Sequence, residues 1–579
     1  MSLTGTNTYT GDTIVAGGEL KVNGLIANSS VTVNNGVQVS GIGTVGPLRV
    51  MGGGKIAPGN SIGKLVVNGN YTQSGIYECE VDNNGNTDQI EVKGQADLTA
   101  GTLKVIPLAG NYPKGFSQTY TILMTTGGLG DTTFASIEGV SPLFTYSATY
   151  DNDNAFVTIT KTLLLSHVIP LGNPAKVATY LDSYTPAALA DKFNTLDKTQ
   201  LTKTFNDLSP AANTQISDMV SNAELGAMDK IFGESNMYRL IQKFNQSQAQ
   251  LVSNLMSFKQ SFNQLFASKL QSKTTAFAIA RNTDPKHLPA SIRVALGKAT
   301  VWIQGAAGRF SQDNISDPSG LAVQGLEGST YNTNVGVDYA FTPTFRGGIT
   351  TGYGYHQYKM NVNGDKGSTN SSRIGLYGLW EPTAAWYVNG AAYYGHHRFK
   401  GDRLMTVIPA VAHQKHQGNH LSGLIEVGRD IILPESLTVT PYINGGALSL
   451  HEKKYTETSA DIQNLRVNGR HSTTVQGKSG IQLGKLWKWD DCMPVYSFAR
   501  LGFIYRRALN KNQKVSAALI DQGGQFTVLS RNRRHVLANP RVGITAFMGN
   551  DVFVGLSYDG EISPTQRNHQ AVIRVNWKG

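Results

Sequence analysis

Alternation of apolar and polar residues recurs through residues 301–579 and limits most strongly what this chain can become. Successive side chains of a strand point to opposite faces. In Asn334–Phe341, Val335, Val337, Tyr339 and Phe341 share one face, opposite Asn334, Gly336, Asp338 and Ala340. In Trp386–Gly395, Trp386, Val388, Ala392 and Tyr394 oppose Tyr387, Asn389 and Tyr393; at the end, Ala571, Ile573, Val575 and Trp577 oppose Gln570, Arg574, Asn576 and Lys578. Such segments start near residues 301, 330, 345, 370, 386, 419, 437, 472, 494, 539, 552 and 566, with a weaker run at Gly524–Ser530. A bacterial barrel needs an even number of strands, so that run is expected to merge with a neighbour, leaving twelve.

Three features favour a membrane barrel over a sheet half-buried in water. Aromatic residues stand near segment ends on the apolar faces, as interface girdles do. The opposite faces are small or hydrophilic, unlike a protein core. Connections vary from Thr342-Pro343-Thr344 to the stretch Lys400–Gly418, read as a long loop. A span made of strands also explains how a membrane protein can lack any ~18-residue apolar run.

The first 76 residues are patterned differently. Short β runs, Leu20–Val22, Val31–Val33, Val37–Val39, Leu48–Val50 and Leu65–Val67, recur with Asn-Gly or Gly-Gly between many of them. Glycine reaches 63 of 579 residues. This spacing predicts a parallel β-helix whose rungs bury their valines on one another. The first residues, Leu3–Asn7, read as the middle of a repeat, so a natural chain extending further N-terminally is expected; Met1–Lys21 lacks the basic start and apolar core of a signal peptide. From residue 77 to about 163 the runs lengthen (Gln89–Val92, Thr102–Pro107, Thr119–Met124, Ala155–Thr160), as expected of a β cap on a solenoid end.

Residues 164–298 are read as helical. Pro174 and Pro186 sit at expected helix starts, and Ser209-Pro210 opens another with Ser209 as N-cap. A long helix is expected at about 237–281, with Leu251, Leu255, Phe258, Phe262, Leu265 and Phe266 in three- and four-residue steps. Every charge there is positive: Arg239, Lys243, Lys259, Lys269, Lys273 and Arg281. A twelve-stranded barrel has room for one helix of ~10–12 Å diameter. This helix is expected in the pore, its cations facing the wall acids Asp338 and Glu426.

The chain resembles the C-terminal part of an autotransporter of the type Va secretion class. Thr4–Gly11 and Ile56–Gly63, continuing to Gly69-Asn70-Tyr71, resemble the passenger-associated repeat. Asp88–Val92, Gly101–Val105 and Tyr120–Leu123 resemble the junction that helps passengers fold. Val301–Gly305 resembles the family's first barrel strand and Leu556–Glu561 its penultimate one. The resemblance implies a mostly β chain. It would have a right-handed parallel β-helix passenger end (1–76), an autochaperone-like β cap (77–163), a helical linker with pore helix (164–298) and a twelve-stranded antiparallel transmembrane β-barrel (299–579). It implies an outer-membrane translocator that secretes or anchors its own passenger, with residues 1–163 on the surface of a Gram-negative cell. Surface adhesin and outer-membrane hydrolase are the alternatives. Implied partners are outer-membrane lipid, the barrel-assembly machinery, periplasmic chaperones and a host-cell or extracellular ligand of the passenger, with the chain monomeric. Two departures stand out. Family members usually end in Phe, where this chain has Gly579, and the Asn-Asn pairs at 34–35 and 83–84 are not in the helix, so in-barrel cleavage at Asn is not expected.

No catalytic, cofactor-binding or metal-binding residue is assigned, and the chain is read as no enzyme. Gly59-Asn60-Ser61-Ile62-Gly63 spells the nucleophile elbow but has Pro58 before it and a β run after it, so it is read as a rung turn. His396-His397 point to opposite faces of a strand and are read as solvated rim residues. Asp490-Asp491-Cys492 is read as a periplasmic turn, Asp151–Asn154 as a hairpin turn without a calcium loop's Gly and Glu, and Tyr112–Gly115 as a turn. Cys79 and Cys492 are the two cysteines, which excludes a disulfide scaffold. The net charge of +11, most of it after residue 300, comes with no nucleic-acid motif; it is read as basic residues scattered on long loops, with no nucleic-acid partner.

Overall fold

The structure is a computed structural model that describes residues 1–247, 299–434, 437–489, 493–509, 512–531, 534–548 and 552–578. Two compact units are present: Met1–Leu208 with Asp521–Gly524, and Ser209–Ile520 with Gln525–Gly579.

The first unit is built from parallel strands in three sheets. The chain visits the sheets in turn: Gln38–Gly41, then Thr44–Val45, then Leu48–Val50, and back to the first at Lys55–Pro58. That is one rung of a β-helix. In register, Leu20 stacks on Val39, Val39 on Ile56, Ile56 on Tyr77 and Tyr77 on Leu103. Val39, Ile56, Tyr77 and Leu103 are fully buried. Stacking continues past residue 76, because Ile76–Val81 pairs in parallel with both Lys55–Pro58 and Thr102–Pro107. The hairpin Phe144–Tyr150/Asn154–Lys161 then adds antiparallel strands beside Ser117–Thr125, so the outer part of that edge is no longer parallel. Helices Gly172–Tyr184, Ala187–Phe193 and Lys198–Asp207 follow and bury Val177, Leu181, Leu189, Phe193, Leu201 and Phe205. The last begins with a capping box between Asp197 and Gln200.

The second unit is the barrel. Its long strands are β1 (Ala299–Gln312), β2 (Leu326–Thr342), β3 (Phe345–Met360), β4 (Lys366–Trp380), β5 (Trp386–Met405) and β6 (Ala410–Arg429). They continue as β7 (Leu437–Glu452), β8 (Arg470–Trp489), β9 (Met493–Ala508), β10 (Arg534–Phe547), β11 (Val552–Ile562) and β12 (Gln566–Lys578). Each is antiparallel to its neighbour, and β1 pairs with β12 from Thr300↔Lys578 to Gln312↔Gln566. The twelve expected strands therefore form a closed cylinder. Closure satisfies the backbone groups that a sheet edge would leave bare in hydrocarbon. Outward-facing Val335, Val337, Ile349, Ile374, Leu376, Leu421, Ile443 and Leu501 form the apolar band. Phe341, Phe345, Trp380, Trp386 and Trp487 lie at the end with the shorter connections, and Tyr331, Tyr353 and Tyr394 at the other. From Phe341 to Tyr331 is about 33 Å at ~3.3 Å per residue, or about 25 Å across the membrane at a ~40° tilt.

Two expectations are corrected. Gly524–Ser530 does not merge into a barrel strand. Phe526–Arg531 pairs with Asn512–Leu519 in a separate sheet that also holds Tyr455-Thr456 and Leu465–Val467. Lys400–Gly418 is not a long loop, because β5 and β6 stay paired out to Met405↔Ala410. Its inward row of Phe399, Gly401, Arg403 and Met405 keeps period 2, and polar outward residues mask that signal when only apolar alternation is sought.

Gly24 and Gly43 occupy equivalent β-helix corners where rungs touch. A Cβ at Gly43 would stand 2.2 Å from the Gly24 carbonyl oxygen, whereas one at Gly17 meets nothing within 4 Å. Gly43→Ala is expected to destabilise the β-helix by about 1–3 kcal/mol, an overpacking cost, and Gly17→Ala to leave it unchanged. Proteolysis of the full chain across a urea series would read both.

Candidate functional site

The functional feature that the fold builds is a helix held inside the barrel. Ser209 Oγ accepts the Ala211 N–H, Pro210 starts the first turn, and after that short 3₁₀ turn comes α1 (Asn213–Ser247). Residues 248–281 of the helix expected at 237–281 lie outside the described residues. The helical segment whose side chains are seen against the wall is 213–232, upstream of that pattern.

Its two faces meet two kinds of wall. Ile216, Met219, Val220 and Leu225 pack with Leu326, Tyr358, Met360, Phe399, Leu448 and Leu450. Met228, Ile231 and Phe232 pack with Trp302, Tyr377, Ala391, Tyr393 and Leu424. These apolar partners stand on β1 to β7. Most of the polar contacts fall on the other side. Asp229 accepts from Lys478 Nζ and Arg541 Nη2, each at 2.8 Å, and from Asn444 Nδ2 at 3.1 Å. Lys230 Nζ lies 3.3 Å from Asp559, which also takes Arg541 at 3.0 Å. Asn222 accepts from Arg506, which also reaches Glu561. Near β4, Glu224 takes both of its contacts from Arg373 Nη1, at 3.1 and 3.2 Å. Towards its N-terminal end, Ser217 Oγ donates to Glu452 at 2.5 Å and Asp218 accepts from Gln513 at 2.7 Å. Partners drawn from β4, β7, β8, β9, β10 and β11 encircle the helix, which puts it within the lumen.

The charges seen along 213–232 are not those of the expected segment, whose six cations lie outside the described side chains. Asp338 and Glu426 do face inward, but the wall itself satisfies them. Asp338 accepts from Arg346 and from Tyr377 Oη at 2.7 Å, and Glu426 accepts from Arg500 at 2.6 Å and Tyr387 at 3.0 Å. The helix contributes mainly acids and the wall mainly cations. The signal was present on the polar strand faces, where Arg373, Lys478, Arg500, Arg506, Arg541 and Arg574 point inward. Buried cations need anions, and Glu224 and Asp229 are the helix acids that meet them. Arg574 instead stacks on Trp302 at 4.5 Å and donates to the Lys230 carbonyl.

The remaining motifs fall as follows. Gly59–Gly63 turns between strands Lys55–Pro58 and Lys64–Val67, without a helix after it. Asp88, in the junction-like motif, accepts the Gly63 and Glu80 N–H groups at 2.9 Å, and burial pushes its carboxyl up to about 7. Asp151 accepts backbone N–H groups from Asp153 and Asn154 in the expected hairpin turn. Asp490-Asp491-Cys492 lies outside the described residues. His397 is not a solvated rim residue. It is fully buried on the lumen side, with Nδ1 2.8 Å from Ser371 Oγ and Nε2 2.6 Å from His420 Nδ1, while His396 faces outward beside Asn419. The pair splits by face as strand geometry demands. His397 is enclosed by Ser371 and His420, so the inner face buries it where a rim position would expose it.

Residues 301–559 match the family model described as the autotransporter β-domain. Along its whole length the chain is 22% identical to an extracellular serine protease of Serratia marcescens, covering 55% of that protein. It is 23% identical over 226 residues to outer membrane protein A of Rickettsia conorii, covering 38% of this chain and 11% of that one. The chain thus spans about half the length of the Serratia relative and a smaller share of the Rickettsia one. Among solved structures, the translocator domain of autotransporter NalP from Neisseria meningitidis covers 52% of this chain and 93% of its own, at 14% identity and TM-score 0.39. The β-domain of the Bordetella autotransporter BrkA covers 48% and 98%, at 14% identity and TM-score 0.37.

Asp229→Asn keeps the shape of the side chain and removes the charge that Lys478 and Arg541 share. Arg541 keeps Asp559, but Lys478 is left buried without an anion, at a cost of about 3–5 kcal/mol. The variant is expected to lose its compact, unheated gel migration at a lower temperature than wild type. Glu91→Gln, which breaks an exposed pair with Lys64 and Lys93, is expected to leave that temperature unchanged.

Proposed function

From a C-terminal part that is an autotransporter β-domain of the Gram-negative outer membrane, we propose that this chain moves its own β-helical passenger to the cell surface and then anchors it there. The observation that carries the reading is α1 threaded through a closed twelve-stranded barrel, its charged side chains tied to many strands. A segment so held marks the path by which upstream chain crossed the wall, and it plugs that path afterwards. Residues 1–163 are the end of the passenger on the outside, with 77–163 as the cap that gives its rungs a finished edge. Barrel assembly would fall to the machinery that inserts such domains, with periplasmic chaperones before it.

No catalytic role is assigned to these 579 residues. The Serratia relative carries a protease name, so an enzymatic passenger remains a separate reading, and an adhesive passenger another. An active-site-directed serine label would mark the first of these, and binding of the purified N-terminal unit to host or neighbouring cells the second.

Single-channel conductance in planar bilayers tests the main reading. The full chain is expected to pass little current, and a chain beginning at Thr300 several times more. Equal conductance would remove the helix from the pore and the reading with it. In intact cells, added protease is expected to cut within 1–208 and to spare the barrel.

A further inference from the structure

The basic excess after residue 300 is concentrated on one outward face. On β12, β1, β3, β4, β5 and β6, Arg567, Arg309, Lys359, Lys366, Arg398, Lys400 and Lys415 all point away from the lumen and are exposed. They sit beyond the Tyr331/Tyr353/Tyr394 end of the apolar band. Arg398 and Lys400 lie four and six residues past Tyr394, about 10–15 Å along the membrane normal. That is headgroup level, past the hydrocarbon.

The protein itself balances the patch only in part. Lys359 stands directly across from Lys366, and Lys400 from Lys415. Like charges directly opposite on a sheet repel. Among the described residues, none of the seven Lys and Arg side chains forms an ion pair within 4.0 Å. Among the described residues, the acids on this face include Glu327, directly across from Lys359, and Asp402, directly across from Lys366 and 2.7 Å from His413, while the Lys400–Lys415 pair has no acid directly opposite it. At the β12–β1–β2–β3 end, the wall forms a cleft of about 600 Å³ lined by Arg309, Ser311, Glu327, Ser329, Lys359 and Arg567.

We propose that this face is a docking surface for the phosphate groups of outer-leaflet glycolipid. Phosphates between Lys359 and Lys366, and between Lys400 and Lys415, turn two repulsive pairs into bridged ones, while the acyl chains lie along the apolar band below. The headgroup sugars fill the cleft, where Ser311 and Ser329 offer hydroxyls. The proposal rests on the outer-membrane reading, because it needs the tyrosine end of the band to face the outer leaflet.

The test uses the purified full chain in phosphatidylcholine nanodiscs containing a bisphosphorylated acyl-disaccharide lipid. Native mass spectrometry counts the glycolipid retained, and heat-modifiable migration checks insertion of each protein. Wild type is expected to retain the bisphosphorylated lipid and to release its dephosphorylated form. The variant K359Q/K366Q/K400Q/K415Q is expected to bind at least about tenfold more weakly, and K400Q/K415Q to fall between if the quadruple variant inserts poorly. R429Q, at the other end of the barrel, is expected to match wild type. Equal retention by wild type and both Lys variants would overturn the proposal. So would equal retention of the dephosphorylated lipid, or displacement of the lipid by inorganic phosphate. Failure of wild type to migrate as a heat-modifiable barrel would instead overturn the membrane reading on which the proposal stands.

Discussion

Pairing between Ala299–Gln312 and Gln566–Lys578 is the constraint on which the rest of the structure depends. A strand edge cannot face hydrocarbon, so twelve strands survive in a membrane only as a ring. The ring fixes an inside and an outside, and alternation then assigns every residue to one of them. Ile303, Val335 and Ile573 go to lipid, while Gln304, Asn334 and Arg574 go inward. Without the seam those assignments would have no meaning, and the inward cations would have nothing to enclose.

Once an inside exists, it has to be filled. The apolar partners of α1 gather on β1 to β7 and most of its charged partners on β8 to β11, and α1 is patterned to match both. Ile216, Met219 and Val220 would suit any soluble helix bundle, and Glu224 and Asp229 would suit any exposed face. Only the combination, set against Leu448 on one side and Lys478 on the other, specifies a single rotation and depth. A buried pair contributes little net stability once desolvation is counted. Its larger effect here is to make other placements of the helix costly, since they leave Lys478 or Arg373 without the counter-charge that Asp229 or Glu224 supplies.

Much of this was legible in the sequence. Period 2 in Asn334–Phe341 and Gln570–Lys578 placed strands where the structure has them, and the short β runs Val31–Val33 and Leu48–Val50 placed rungs. The parts that were missed share a cause. The two residues of a contact lie far apart in the chain, so neither stretch looks unusual alone. Arg373 reads as an ordinary strand residue until Glu224 stands opposite it, and His397 as a rim residue until His420 and Ser371 close around it. Lys400–Gly418 was lost differently. Its outward face is polar because it rises above the lipid, so the contrast that marks a membrane strand fades while the strand continues.

The seam also governs timing. Strand β1 cannot pair with β12 until ribosomes have made residue 578, and α1 takes partners as early as Trp302 and as late as Arg574. No piece of the chain that stops before β12 contains a finished ring or a fully partnered helix. Contacts this distant in sequence form slowly and leave apolar strands bare meanwhile. A molecule built this way spends its early life as a long sticky ribbon, and its survival depends on the interval between the end of synthesis and the joining of its first strand to its last.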